Sequence, residues 1–182
     1  MGLLKGTLTF SRYRLPGEPP ERSFEQIDRS MQKFAFRELA KSSGEKNLGW
    51  TSLENPLDTD FRRSSCRWGD YLLFSLRIDR WTIPPSLLKI RMLAAEQQHL
   101  AETGQKTLDR HRRADIRERV RLDLLNRTQP VPAFHEVCWS LSTQSVLFTS
   151  LSDKVIDDFQ DLFKRSFECA PCPFVPWDPH FL

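Results

Sequence analysis

At 182 residues the chain can form one domain, or one domain carrying a sizeable insertion, around a buried core. Its 39% hydrophobic and 28% charged residues are ordinary for a soluble globular protein, and no apolar run nears the roughly 20 residues of a membrane span. The net charge of +3 hides an asymmetry: residues 1–127 carry 24 Lys and Arg against 17 Asp and Glu, net +7, whereas residues 128–182 carry 3 against 7, net −4. A basic stretch of this kind permits a polyanionic partner without requiring one.

Residues 3–14, "LLKGTLTFSRYR", alternate with period two, so a half-buried strand is expected, with Leu4, Gly6, Leu8 and Phe10 on one face. This N-terminus has neither the long apolar block of a signal peptide nor a good myristoylation signal. With four cysteines and no export signal, reduced thiols in a cytoplasm are expected. "LPGEPPE" (15–21) is a turn-rich loop. Phe24, Ile27, Met31 and Phe34 then fall at helical spacing behind a capping-box pair, Ser23 and Gln26. "KSSGEKN" closes that helix, "LGWTSL" (48–53) reads as a short strand, and "ENPLDTDFRR" as a loop holding Asp58 and Asp60. "SCRWGDYLLFSLRIDRW" reads as a hairpin turning at Gly69-Asp70.

From Pro84 and Pro85 the pattern becomes helical, Gly104 stops it, and a second helix follows in "TLDRHRRADIRERVRLDLLNR". Two helices joined by so short a turn make an antiparallel hairpin. Beyond Pro130 and Pro132, "AFHEVCWSL" and "SVLFTSL" flank Ser142-Thr143-Gln144 as a second β-hairpin. The last helix has Ser152 as N-cap and an apolar face of Val155, Ile156, Phe159, Leu162, Phe163 and Phe167. A proline-studded, extended tail ends the chain. The expected fold class is α+β: a mixed or antiparallel sheet made from both chain ends and covered by helices, with an inserted helical hairpin. The expected division is residues 1–83 with 128–182 as the central domain and 84–127 as the insertion.

The segment Asp109–Arg127 holds seven arginines in nineteen residues. At about 100° per residue, Ile116, Val120 and Leu124 form a stripe with Arg110, Arg113, Arg117 and Arg121 beside it, and Arg112 and Arg119 on its other flank. One reading is a solvated helix laced by pairs such as Asp109 with Arg113 or Glu118 with Arg121. The other is a phosphate-contacting face, which Arg77, Arg80 and Lys89 would extend. No element reads as a device for base edges, so any such binding would be insensitive to sequence.

Enzyme signatures are sparse. There is no Gly-rich phosphate loop, Gly-x-Ser-x-Gly elbow or His-Glu-x-x-His pair. Cys169 and Cys172 have redox spacing but follow a helix, where no helix N-terminus stabilises a thiolate, and zinc would need two more ligands, His180 being the nearest. Asp58, Asp60 and Asp79 are the best carboxylate set for a metal-dependent nuclease, yet nothing in the sequence brings them together. His99, His111, His135 and His180 are scattered. No cofactor and no metal site is expected. Trp50, Trp68, Trp81, Trp139 and Trp177 read as core or interface anchors, Trp81 beside Arg80 being a stacking exception.

The opening strand ending in "YRL", then "FAF", "LGW", the Gly69-led strand, "IPPSLLK", the charged helices ending in "LLNR", a strand with "CW" and the final "PCPFVP" occur in one collinear order. In that order the chain resembles the N-terminal part of the RdgC family of bacterial recombination-associated proteins. The resemblance implies a central α+β domain with a helical tip, and a cytoplasmic, nucleoid-associated homodimer that binds double-stranded DNA with little sequence preference and restrains RecA-promoted recombination. It places Lys89, Arg113 and Arg117 at basic positions of the tip. Longer members carry a further C-terminal domain that helps two subunits close a ring, so a dimer of the present chain would rely on the tip or the sheet edge. The expected function is non-enzymatic DNA binding; the alternatives are a protein-interaction module and a metal-dependent exonuclease.

Overall fold

The computed structural model describes residues 3, 8–16, 24–38, 46–61 and 66–175. In chain order the elements are β1 (Ser11–Arg14), α1 (Phe24–Lys33), β2 (Lys46–Ser52), β3 (Arg67–Trp68), β4 (Tyr71–Arg80), α2 (Pro85–Thr103), α3 (Arg110–Arg127), β5 (Val131–Ser140), β6 (Ser145–Phe148), α4 (Asp153–Phe167) and β7 (Cys172–Pro173). The fold is α+β, with four helices and a seven-stranded antiparallel sheet among the described residues. The sheet order is β2-β4-β5-β6-β1-β7, with β3 paired to β4. β1 therefore lies between two strands from the last third of the chain, as a sheet built from both ends requires. The described residues fall into two compact units, one within 1–38, 48–78 and 133–182, the other within 39–47 and 79–132.

Alternation fixes the two faces of the first unit. Leu72, Phe74, Leu76 and Ile78 of β4, Val137 and Trp139 of β5, Val146 and Phe148 of β6 and Tyr13 of β1 are all buried in one core. Against them α4 presents Val155, Phe159, Leu162, Phe163 and Phe167, a helical stripe one residue in three or four. α1 adds Ile27 and Met31. Aromatic rings dominate the seam: Phe159 stacks on Phe148 at 4.1 Å, and Phe167 touches Trp50, Phe74 and Trp139. Trp50 meets the polar requirement of its indole by donating from Nε1 to Ser166 Oγ at 2.8 Å, and that hydroxyl donates to Leu162 O at 2.8 Å.

Two local expectations change. Phe10 is 46% exposed and precedes the strand, while Tyr13, of the other parity, faces the core. The cause is the pairing of β1 with β6: Ser11 opposes Phe148 and Tyr13 opposes Val146, so the inward face is the one β6 already turns to α4. Leu4 and Gly6 of that expected strand, and the Ser23 end of the capping box, lie outside the described residues. Ser152 occupies the N-cap position of α4, but its hydroxyl makes no cap bond; its carbonyl accepts from Val155 and Ile156 N–H instead.

The hairpin of β3 and β4 turns at Gly69-Asp70, and that of β5 and β6 turns through Leu141–Gln144. The two turns are tied together. Asp70 takes hydrogen bonds from Ser142 N–H at 3.1 Å, from the Ser142 hydroxyl and from Ser140 Oγ, and Leu141 N–H donates to Asp70 O. These bonds, the Ser142 hydroxyl first, hold the Asp70 carboxyl below the usual carboxylate range.

On β2, Phe36 N–H donates to Trp50 O and Trp50 N–H donates to Phe34 O, so residues 34–36 lie directly along the strand. A Cβ at Gly49 would stand 2.4 Å from Phe36 Cα. Gly49→Ala is accordingly expected to destabilise the fold by about 1–3 kcal/mol through forced separation of two backbones, read as a lowered midpoint in denaturant. Burial, then the Asp28 and Asp58 carboxylates, pushes the Cys66 thiol up to about 12. At pH 8 the native protein is expected to hold Cys66 as unreactive thiol, and a disulfide reagent should modify it only at the rate of unfolding.

Candidate nucleic-acid interface

The second unit carries α2 and α3. Gly104, at φ 67°, terminates α2 in the left-handed conformation that suits glycine. Asp109 then opens α3, its carboxylate accepting from Arg112 N–H at 2.8 Å. That bond, more than the neighbouring charges, keeps the Asp109 carboxyl low. Ile116 and Leu124 are buried and Val120 is half-buried, so the apolar stripe expected from spacing faces inward.

The arginines flank that stripe. Arg110, Arg112, Arg113, Arg117 and Arg119 are exposed and Arg121 is half-buried. Three of the helix's arginines are engaged by acids: Arg113 Nε with Glu96 of α2 at 3.3 Å, Arg121 with Glu118 at 3.6 Å, and Arg127 with Asp123 at 2.9 Å. The Glu118–Arg121 pair was expected from spacing. The Asp109–Arg113 ion pair does not form, because capping fixes the Asp109 carboxylate on the helix terminus and Glu96 takes the guanidinium. Arg110, Arg112, Arg117 and Arg119 make no ion pair with any described residue. α3 carries seven arginines against Asp115, Glu118 and Asp123, a net charge of +4. Exposed guanidinium groups on such a helix offer bidentate donors to phosphate oxygens while their stems cover apolar surface.

The other basic candidates are placed differently. Lys89 is exposed on α2, the helix packed on α3. Arg77 belongs to the first unit, its guanidinium 4.1 Å from the centroid of Phe36 and 5.8 Å from that of Phe134. Arg80, the last residue of β4, is half-buried. Arg112 and Arg119, left outside the expected set, are exposed like Arg110, Arg113 and Arg117. Of the acids three or four residues away, Asp109 is occupied as a cap and Asp123 by Arg127, and Asp115, within reach of both by spacing, pairs with neither.

Among the alternative chemistries, Asp58 Oδ1 accepts from Asp60 N–H at 2.9 Å within its loop, and Asp79 is buried in β4. No group of three His, Cys, Asp or Glu placed to hold a metal occurs among the described residues. Cys169 and Cys172, neither in a disulfide, lie just beyond the α4 C-cap. His135 packs on Phe148, with Nδ1 3.5 Å from Thr149 O. Of the tryptophans expected as core or interface anchors, Trp50 and Trp139 lie in the core, and Trp68 is 54% exposed.

No helix among the described residues is long and apolar enough to cross a membrane. No curated protein matches the chain. A family model described as "Putative exonuclease, RdgC" matches residues 9–179, nearly the whole sequence. A recombination-related lineage is thus shared by the sheet, its covering helices and the arginine-bearing helix alike: the chain belongs to the RdgC family.

Proposed function

We propose that the protein is a non-enzymatic, sequence-tolerant double-stranded DNA-binding protein of the cytoplasmic nucleoid that restrains RecA-promoted recombination by occupying the duplex. The observation that carries this reading is the set of exposed arginines on α3, four of which have no acidic partner among the described residues. Family membership supports the recombination context. Phosphate contacts by Arg110, Arg113, Arg117 and Arg121, extended by Lys89 and Arg80 of the same unit, would release counterions and supply affinity without reading bases. Arg113 and Arg121 would exchange a carboxylate for a phosphate, so their contribution is smaller than that of Arg110 and Arg117.

Anisotropy of a labelled duplex at several salt concentrations tests this. The logarithm of affinity should fall linearly with the logarithm of salt, with slope near −0.9 per phosphate neutralised, and Arg110→Glu/Arg117→Glu should weaken binding and flatten the slope by about two units. A slope near zero, or an unchanged variant, would overturn the reading.

One observation favours a second reading, a protein-interaction or dimerisation surface. α2 buries none of its nineteen residues, and Ile90 and Leu93 are well exposed on it. On that reading Ile90→Glu dissociates an assembly in sedimentation while leaving duplex affinity unchanged.

A further inference from the structure

The arginines of α3 that lack an acidic partner divide between two opposite flanks of the helix. Ile116 and Leu124, with Val120 between them, mark the side that turns inward, covered by the rest of its unit, α2 included. At about 100° per residue, Arg110 and Arg117 lie roughly 80° to one side of that stripe, and Arg112 and Arg119 roughly 90° to the other. The two pairs therefore stand nearly back to back. Within each pair the guanidinium groups are one heptad apart, about 10.5 Å along the axis. All four residues are exposed, and none is in an ion pair with a described residue.

What separates the flanks decides how they can be used. On the inward side the apolar stripe and its covering fill the gap. On the outward side the helix shows Asp115, Glu118 and Leu122, all exposed. Glu118 is shared with Arg121 at 3.6 Å, whereas Asp115 is in no ion pair with a described residue. A phosphate backbone crossing from one flank to the other would pass over that uncompensated carboxylate and over Leu122. Like charge repels it at the first and nothing binds it at the second. Entry of α3 into a major groove, one flank on each wall, would press the same carboxylate towards the groove floor.

Each flank by itself is a short guanidinium row of the kind that neutralises phosphates along one backbone. Two rows facing away from each other, with a carboxylate-bearing ridge between them, suit two polyanions better than one. We propose that α3 holds two DNA duplexes at once, one on each flank, and so bridges neighbouring DNA segments. The inference rests on the duplex binding proposed above and adds a second face on the same helix, through Arg112 and Arg119. A single chain supplies both faces, so bridging requires no second copy.

The test uses the full chain and two duplexes of equal length, one fixed to beads and one carrying a fluorophore. At low salt the wild type is expected to retain the labelled duplex on the beads. Sedimentation with excess duplex should reach two duplexes per chain; saturation at one per chain would overturn the proposal. Arg112→Gln/Arg119→Gln, checked for native helicity by far-ultraviolet dichroism, should lower retention about tenfold and change the anisotropy affinity for a single duplex less than about threefold. Parallel losses in the two assays would overturn the proposal, assigning both flanks to the walls of one groove. Unchanged retention by the folded variant would overturn it too, assigning the second duplex to a second copy of the chain. Duplex binding without retention sinks this inference alone, and no duplex binding by the folded wild type sinks it together with the reading on which it rests.

Discussion

The seam between α4 and the sheet is the interaction on which the first unit depends. Phe159, Phe163 and Phe167 recur at four-residue spacing and meet Phe148, Trp139, Trp50 and Phe74 from four different strands. Each ring removes on the order of 150–250 Å² from water, and the tilted and edge contacts add electrostatic complementarity between rings. Two tryptophan indoles enter the seam: that of Trp139 has no hydrogen-bond partner among the described residues, and that of Trp50 donates to Ser166, itself bonded to the helix backbone. Without that hydroxyl the indole would be buried unsatisfied, at a cost of roughly 1–3 kcal/mol. α4 thereby sets which face of β1, β4, β5 and β6 points inward.

That constraint also decides what the opposite face shows. Once Leu72, Phe74, Leu76 and Ile78 are committed to α4, the intervening residues of β4 have only the other side of the sheet available. The same holds for Phe134 on β5 and Arg12 and Arg14 on β1. An antiparallel sheet covered on one side needs polar residues on the other, and here that side carries aromatics and arginines. The hydrogen bonds from Ser140 and Ser142 to Asp70 fix the ends of two hairpins, which holds Trp68 and Tyr71 at the rim.

The second unit solves a different problem. α3 has only Ile116 and Leu124 fully buried, and α2 has no buried residue. Helices with so little apolar burial rely on caps and ion pairs, and both are present: Asp109 on the N-terminus, Gly104 between the helices, Glu96 with Arg113. The charge that remains after those pairings is spread along α3. Under the proposed duplex-binding role, stability and function compete for the same side chains, since an arginine held by Glu96 or Glu118 is less available to a phosphate.

Much of this was legible in the chain. The apolar stripe of α4, the Gly69-Asp70 turn, the Pro85 start and Gly104 stop of α2, and the α+β class all follow from local periodicity and turn chemistry, which need no partner to operate. So did the basic character of α3. What the sequence left open were choices among equivalents. Period two in "LLKGTLTFSRYR" is satisfied by either face, and pairing with β6 selected Tyr13 over Phe10. Spacing allowed Arg113 to meet Asp109, and packing of α2 on α3 supplied Glu96 instead. Tryptophan composition marked five anchors, and strand parity at a hairpin rim left Trp68 in water. Local propensity determined which elements form; the long-range pairing of strands and helices determined which side of each element meets solvent, because only tertiary contact distinguishes two faces of equal periodicity.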